Sequence, residues 1–368
     1  MTTRTLMVMA GGTGGHVLPG VAVADELKKD GWKIVWLGTE KGMEAKLLPG
    51  KGYEIEWISV AGLRGNGVVR MLKMPFMLLR AFGQSLSAML RHRPDVVIGM
   101  GGYTAFPGGM MAVLLNKPLV VHEQNSLAGL TNRILACLAE RVLVGFPQAF
   151  TGKKDKPLPC SRVKTEWLGN PIRAEIGAID EPEKRFAGRT GPLRLLVVGG
   201  SLGAAALNET VPQALALLPA SERPEVVHQA GHKHLAALQE HYRAAGVQGD
   251  LRDFIGDMAH MYAWCDVVIC RSGALTLAEI AAAGVASILV PYPHAVDDHQ
   301  TVNADFLLQA GAAKIVQQRD LTAAGLTRLL RETGRDKWLA MATLARQQGK
   351  PAATQDVAAV IRELADAA

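Results

Sequence analysis

Much that would steer the reading of this 368-residue sequence elsewhere is missing from it. The four cysteines, Cys137, Cys160, Cys265 and Cys270, form no CxxC pair and have no histidine at zinc-ligand spacing. Free thiols in a reducing compartment are expected, which sets aside a disulfide scaffold and a zinc module. No stretch holds 18 uninterrupted apolar residues, so no bilayer-spanning helix is expected. The apolar run at 6–9 is too short for a signal-peptide core and leads straight into glycines. The first glycine cluster is not Gly-x-Gly-x-x-Gly, because Val17 stands three past Gly14, and no Gly-Lys-Ser/Thr follows as in a Walker A loop. Asp297 and Asp298 are adjacent rather than spaced as Asp-x-Asp, so no divalent-metal clamp and no metal site is expected.

What is present is ordinary globular composition with glycine in clusters. About half the residues are apolar, 20% are charged and 39 are glycine. The length suits two domains of roughly 150–180 residues each. Charge is uneven, with a balance of +9 over residues 1–170 and −3 over 171–368. A basic first half favours an anionic partner, lipid headgroups or nucleic acid, although a solvated basic surface would look the same.

A short apolar run, a glycine turn and a helical segment recur four times. The turns are Gly11-Gly12-Thr13-Gly14-Gly15, Gly99-Met100-Gly101-Gly102, Gly199-Gly200-Ser201-Leu202-Gly203 and Arg271-Ser272-Gly273. Continuous apolar strands alternating with helices imply parallel sheets covered on both faces, and the second half restarts the pattern of the first. Two doubly wound α/β domains are expected, joined by a Lys- and Pro-rich loop at 152–159 and a crossing at Gly169-Asn170-Pro171. Their strand ends would face each other across a cleft.

A glycine turn ahead of a helix bares backbone N–H groups at the positive end of the helix dipole, which suits a phosphate. Taken singly, such a turn is often only tight backbone. In order along the chain stand Gly11 to His16, Gly99 to Tyr103, His122-Glu123-Gln124-Asn125, Gly169-Asn170-Pro171-Ile172-Arg173, Gly199 to Ala204, and Arg271 to Thr276 with Glu279. Together these closely resemble the MurG family of N-acetylglucosaminyltransferases of peptidoglycan synthesis. The resemblance implies the GT-B architecture of two Rossmann-like domains. The N-terminal domain would span 1–170 and be completed by a C-terminal helix at about 350–368, with the UDP-sugar domain at 171–349. It implies inverting transfer of N-acetylglucosamine from UDP-N-acetylglucosamine to undecaprenyl-diphosphate-linked N-acetylmuramoyl pentapeptide, with no cofactor and no bound metal. It implies a peripheral protein on the cytoplasmic face of the bacterial inner membrane, acting in cell wall biogenesis, cell shape and division. Its partners would be anionic lipid, the lipid-linked acceptor and other cell-wall and division proteins, not nucleic acid.

Site residues follow from chemistry and resemblance together. Ser272, Ala274, Leu275 and Thr276 open a helix that Gly284 can cap, and two hydroxyls add to its N–H groups for a donor diphosphate. Arg271 adds fixed charge for the leaving group. Glu279, further along that helix, accepts from a ribose diol; without the motif it would read as a solvated carboxylate. By resemblance, backbone at Ile255 reads uracil, and Ser201, Arg173, Asn125 and Gln300 contact the donor, with His299 the alternative to Gln300. Thr13, Gly14 and Gly15 contact both the donor and the acceptor diphosphate, the latter joined by Gly12, Gly101, Gly102 and Tyr103. For the base that takes the acceptor hydroxyl proton, His16 and Glu123 are both candidates, and His16 could equally cap its helix.

Residues 68–82 mix large apolar side chains with cations. Arg70, Leu72, Lys73, Phe76, Leu79, Arg80 and Phe82 are the expected membrane face. A buried helix under the sheet is the plainer alternative. Rival functions are a UDP-N-acetylglucosamine epimerase of the same architecture, a nicotinamide dehydrogenase and a non-catalytic nucleotide-sugar sensor at the membrane.

Overall fold

The β-branched runs become short parallel strands, and each glycine turn delivers the chain into a helix. The computed structural model describes residues 3–60, 68–150, 160, 163–200 and 203–367, with backbone alone at 68–73 and at Val296. Two units form, Met1–Arg173 with Ala352–Ala368, and Ala174–Pro351.

The first unit runs β1 (Thr5–Met9), α1 (Gly14–Lys29), β2 (Lys33–Gly38), α2 (Glu44–Leu47), β3 (Glu54–Trp57) and α3 (Val68–His92). It continues with β4 (Val96–Gly99), α4 (Ala105–Leu114), β5 (Leu119–Glu123), α5 (Leu130–Leu135), β6 (Arg141–Val144) and β7 (Thr165–Trp167). Its sheet has the order β3-β2-β1-β4-β5-β6-β7. Every pairing is parallel. The second unit runs α6 (Ala174–Gly177), α7 (Pro182–Phe186), β8 (Arg194–Val198), α8 (Ala205–Ala216), β9 (Glu225–Gln229), α9 (Leu235–Ala245) and β10 (Asp250–Arg252). Then come α10 (Met258–Trp264), β11 (Val267–Cys270), α11 (Ala274–Ala283), β12 (Ala286–Leu289), α12 (His299–Gln309), β13 (Ala313–Ile315), α13 (Ala323–Glu332) and α14 (Arg335–Gln348). The second sheet, also all parallel, has the order β10-β9-β8-β11-β12-β13.

Strand β1 shows why its sequence is continuously apolar. Leu6 and Val8 pack on one face with Val17, Val21 and Leu27 of α1. Met7 and Met9 pack on the other with Ala88 and Met89 of α3 and Ala105 and Ala112 of α4. Both faces are covered, so no alternation with polar residues is needed. The last helix, α15 (Ala353–Ala367), returns to this unit and adds Val357, Ala358 and Ile361 to the α1 face. Arg362 of α15 pairs with Asp30 at 2.6 Å, and Thr354 Oγ1 donates to the Ile172 carbonyl at 2.8 Å.

In each sheet the strand order reverses once, between β1 and β4 and between β8 and β11. All four glycine turns follow those four strands. Ligands of open parallel sheets bind beyond the carboxyl ends of strands at such reversals, so each unit carries one place prepared for them.

One expectation is overturned. Cys137 and Cys160 form a disulfide, with Cα atoms 5.9 Å apart, rather than two free thiols. Cys137 lies just past α5, and its partner follows after 23 residues, a separation that carries no motif. Cys265 and Cys270 are free and buried. Among the described residues, no helix is long and apolar enough to cross a membrane.

Candidate active site

At the reversal point of the first unit the turns after β1 and β4 pack backbone to backbone. Gly102 sits at φ +80°, and a Cβ there would lie 2.5 Å from the Gly11 carbonyl oxygen, so only glycine allows the approach. Tyr103 lies over Gly12, where a Cβ would come 3.4 Å from its ring. The buried carboxylate of Glu44 pins the first turn. It accepts from Gly12 N at 3.0 Å and from Thr39 N and Oγ1 at 2.8 Å. Thr13 caps α1, Gly14 and Gly15 open it, and its first turn holds no acidic residue. Thr104, buried beside Gly11, has an Oγ1 with no hydrogen-bond partner.

The two candidate bases are held very differently. Glu123 is buried at the end of β5. One oxygen accepts from Asn125 N at 2.9 Å, the other from Asn132 Nδ2 at 2.9 Å and Gly129 N at 3.1 Å. That carboxylate ties its own turn to α5. His16 is half-buried in the first turn of α1, with Nδ1 2.8 Å from Gln124 Oε1. Asn125 also directs its side-chain amide toward Glu123, at 3.4 Å. Arg173 is exposed at the end of the unit.

In the second unit α11 is open at its N-terminus and charge-matched at its C-terminus. Gly273 caps it in extended conformation, and Gly284 closes it in the left-handed region. The last carbonyls accept from guanidinium groups, Ala283 from Arg185 at 2.9 Å and Ala282 from Arg346, as the dipole favours. Ser272, fully buried before the first turn, has an Oγ with no partner. Ala274, Leu275 and Thr276 form that turn, and Thr276 Oγ1 lies 3.8 Å from where a Gly273 Cβ would stand. Glu279 Oε2 accepts from the buried Tyr262 hydroxyl at 3.1 Å.

Three of the expected donor-side groups have partners within the protein. Arg271 does not aim its fork at the helix mouth. Its Nη1 donates to the carbonyls of Val290 and Pro291 at 3.0 and 3.2 Å, and its Nη2 to Gln318 Oε1 at 2.6 Å. It therefore buttresses the loop after β12. The Ile255 N–H, a candidate for the uracil edge, donates to Gln229 Oε1 at 2.8 Å, while Gln229 Nε2 donates to the Gly200 carbonyl at 3.0 Å. Gln300 Oε1 accepts from Tyr292 N at 2.9 Å, with His299 beside it opening α12. Ser201 lies outside the described residues, as do the side chains of Arg70, Leu72 and Lys73. On α3, Phe76 and Leu79 are 75% and 68% exposed. Arg80 is exposed, and Phe82 is half-buried against Phe106, with ring centroids 5.9 Å apart. Glu44, Gln229 and Tyr262 carry no motif in the sequence, since the bonds by which they brace Gly12, Ile255 and Glu279 join residues 32, 26 and 17 positions apart, and Thr104 is marked only by its burial beside Gly11.

Two parallel doubly wound units, each with glycine turns where its strand order reverses, are the GT-B architecture of nucleotide-sugar glycosyltransferases. The chain belongs to glycosyltransferase family 28: residues 6–144 match the model of the family's N-terminal domain and 194–357 that of its C-terminal domain. It is 60% identical over 362 residues to the UDP-N-acetylglucosamine--N-acetylmuramyl-(pentapeptide) pyrophosphoryl-undecaprenol N-acetylglucosamine transferase of Thiobacillus denitrificans, covering 98% of both chains. The protein of the same name from Burkholderia thailandensis is 58% identical over 370 residues, covering 100% of this chain and 98% of that one. Among solved structures, MurG of Acinetobacter baumannii superposes with a TM-score of 0.84 at 40% identity, covering 98% of this chain and 99% of that one. A putative UDP-N-acetylglucosamine 2-epimerase of Listeria monocytogenes shares the fold, with a TM-score of 0.65 at 15% identity, covering 100% of this chain and 98% of that one.

Proposed function

We infer that this chain transfers N-acetylglucosamine from UDP-N-acetylglucosamine to undecaprenyl-diphosphate-linked N-acetylmuramoyl pentapeptide, inverting the anomeric carbon. It does so as a peripheral protein on the cytoplasmic face of the inner membrane. The observation that carries this reading is the pair of open helix N-termini at the two strand-order reversals, in a chain of this family. Both substrates carry a diphosphate, and each unit offers one such mouth.

The donor diphosphate meets the first turn of α11, where N–H groups and the hydroxyls of Ser272 and Thr276 stabilise the leaving UDP. Glu279, fixed by Tyr262, accepts from the ribose hydroxyls, and backbone at Ile255 meets uracil. Arg271 contributes through its field and through the loop it braces. Ser201, Asn125, Arg173 and Gln300 complete the donor contacts. The acceptor diphosphate meets Gly12 to Gly15 with Gly101, Gly102 and Tyr103. His16, rather than the buried and fully engaged Glu123, takes the proton from the attacking hydroxyl. The new oxygen–carbon bond forms as the bond from the anomeric carbon to UDP breaks, with the electron pair leaving on UDP.

The test is UDP release from UDP-N-acetylglucosamine with and without a lipid-diphosphate muramoyl acceptor. Release is expected only with the acceptor, and isomerised donor without acceptor would show an epimerase instead. Turnover is also expected to survive EDTA, since the leaving-group charge is met by α11. Loss on chelation and recovery with Mg²⁺ would overturn that part of the mechanism.

A further inference from the structure

A chain of hydrogen bonds runs inward from His16, and both its ends fix where the protons sit. At the inner end, His122 Nε2 lies 2.9 Å from the Gly169 carbonyl oxygen. A carbonyl cannot donate, so Nε2 carries the hydrogen. His122 is fully buried on β5, and burial lowers its pKa to about 4. The ring is therefore neutral, and its Nδ1 holds a lone pair. Gln124 Nε2 lies 3.0 Å from that Nδ1 and 3.0 Å from the His122 carbonyl oxygen. Both are acceptors, so the nitrogen end of the amide must face them. A flipped amide would set oxygen against oxygen.

The oxygen end of Gln124 consequently faces His16, with Nδ1 at 2.8 Å. An amide oxygen only accepts, so His16 Nδ1 carries the hydrogen and Nε2 is left with the lone pair. Gly101 is what lets the ring lie there, since a Cβ at that position would stand 3.2 Å from His16 Cε1 and Nδ1. Asn132 Nδ2 and Asn170 Nδ2 brace the chain by donating to the carbonyls of His122 at 3.1 Å and Gln124 at 3.0 Å. Among the described residues, nothing hydrogen-bonds His16 Nε2.

We propose that Gln124, oriented by His122, is a positioning residue that holds His16 in the Nδ1–H tautomer, so that Nε2 is the atom that takes the acceptor hydroxyl proton. This rests on the reading of His16 as the base. A neutral histidine side chain in water prefers hydrogen on Nε2, which would leave the wrong nitrogen bare. In the step itself the hydroxyl O–H breaks as Nε2–H forms, and the oxygen's electron pair makes the bond to the anomeric carbon. Gln124 Oε1 then accepts from an imidazolium, which strengthens that hydrogen bond as charge develops. The proton later passes to solvent.

The tautomer can be read directly in the unaltered protein. Full-length protein labelled with ¹⁵N-histidine is examined by long-range proton–nitrogen correlation at a pH where His16 is neutral, the signal being assigned by its loss in His16→Gln. Protonated Nδ1 and bare Nε2 are expected; a neutral His16 with hydrogen on Nε2 overturns the proposal without any variant having to fold. In Gln124→Leu the tautomer should revert to Nε2–H. Its kcat should fall about 100-fold while KM for UDP-N-acetylglucosamine stays within about twofold, because the donor mouth is untouched. Gln124→Glu keeps an acceptor toward His16 and should recover part of that loss. A reverted tautomer with undiminished kcat sinks the proposal. The base reading fails separately, if His16→Gln turns over like the parent whatever the tautomer.

Discussion

Glu279 and Tyr262 form a pair in which one residue would bind and the other would aim. Glu279→Ala removes charge-assisted bonds to ribose hydroxyls and is expected to weaken UDP binding by about 2 kcal/mol. Tyr262→Phe keeps the carboxylate but frees its rotamer, and a smaller loss of about 1 kcal/mol is expected. Calorimetric titration with UDP decides it, and unchanged affinity in Glu279→Ala would remove that residue from the site. Two buried imidazoles set a second prediction. Burial lowers the pKa of His122 to about 4 and of His228 to about 3. Both values lie below that of the unfolded chain, near 6.5. The folded rings therefore stay neutral while the unfolded ones take up protons. Neither costs stability above pH 6.5, and stability falls as pH drops from 6.5 toward 4, by about 3 kcal/mol for His122 alone. Urea denaturation at successive pH values should show that slope. A flat profile over this window would mean that these rings are not held neutral.

The element scale separates what local sequence can announce from what it cannot. The four glycine turns were legible because a strand-to-helix turn at a sheet's reversal point leaves bare amides; three of them also take positive φ, at Gly12, Gly101 with Gly102, and Gly200 with Gly203, while Gly273 in the fourth is extended. The bonds behind them were not. Glu44 reaches back to Gly12, His16 meets Gln124 across 108 residues, and His122 meets Gly169 across 47. No periodicity encodes such pairs. Arg271 shows the converse, since adjacency to the donor helix suggested a direct contact while the fold turned its fork to the loop after β12. Helix α3 lies between these cases. Its apolar and basic mixture is plain in the sequence, but which side chains face out is not, and Phe82 turns in against Phe106 while Phe76 and Leu79 turn out. Replacing Phe76 and Leu79 with serine should therefore strip the proposed membrane contact without opening the core. Up to about 4 kcal/mol of apolar transfer is lost, which is up to about three orders of magnitude in affinity for anionic vesicles. Turnover of a short-chain soluble acceptor should persist, while KM for the native lipid rises. Undiminished sedimentation with vesicles would place the membrane face elsewhere.

At the scale of the whole molecule, the chain leaves its first unit at Arg173 and comes back at Ala352. The unit is therefore finished by the last residues in the sequence. Helix α15 lays Val357, Ala358 and Ile361 into the same core as Leu6 and Val8 of β1, and its polar side fastens through Arg362 to Asp30. Each fully buried valine or isoleucine contributes about 1.5–3 kcal/mol, so removing the helix takes away a large share of a typical domain's margin of 5–15 kcal/mol. The second unit has a core of its own, drawn from Phe186 to Ala342, that includes no residue of α15. Deleting residues 353–368 should therefore unfold the first unit and leave the second standing. UDP, whose proposed contacts in the second unit lie at α11, Glu279 and Ile255, should still bind by calorimetry, weakened only by the loss of Asn125 and Arg173 of the first unit. Acceptor-dependent turnover should disappear, and the first unit should lose protection in hydrogen exchange while β8 and β11 keep theirs. If UDP binding vanished together with protection in β8 and β11, the two units would be a single cooperative structure, and the assignment of the UDP site to an independent second unit would fall.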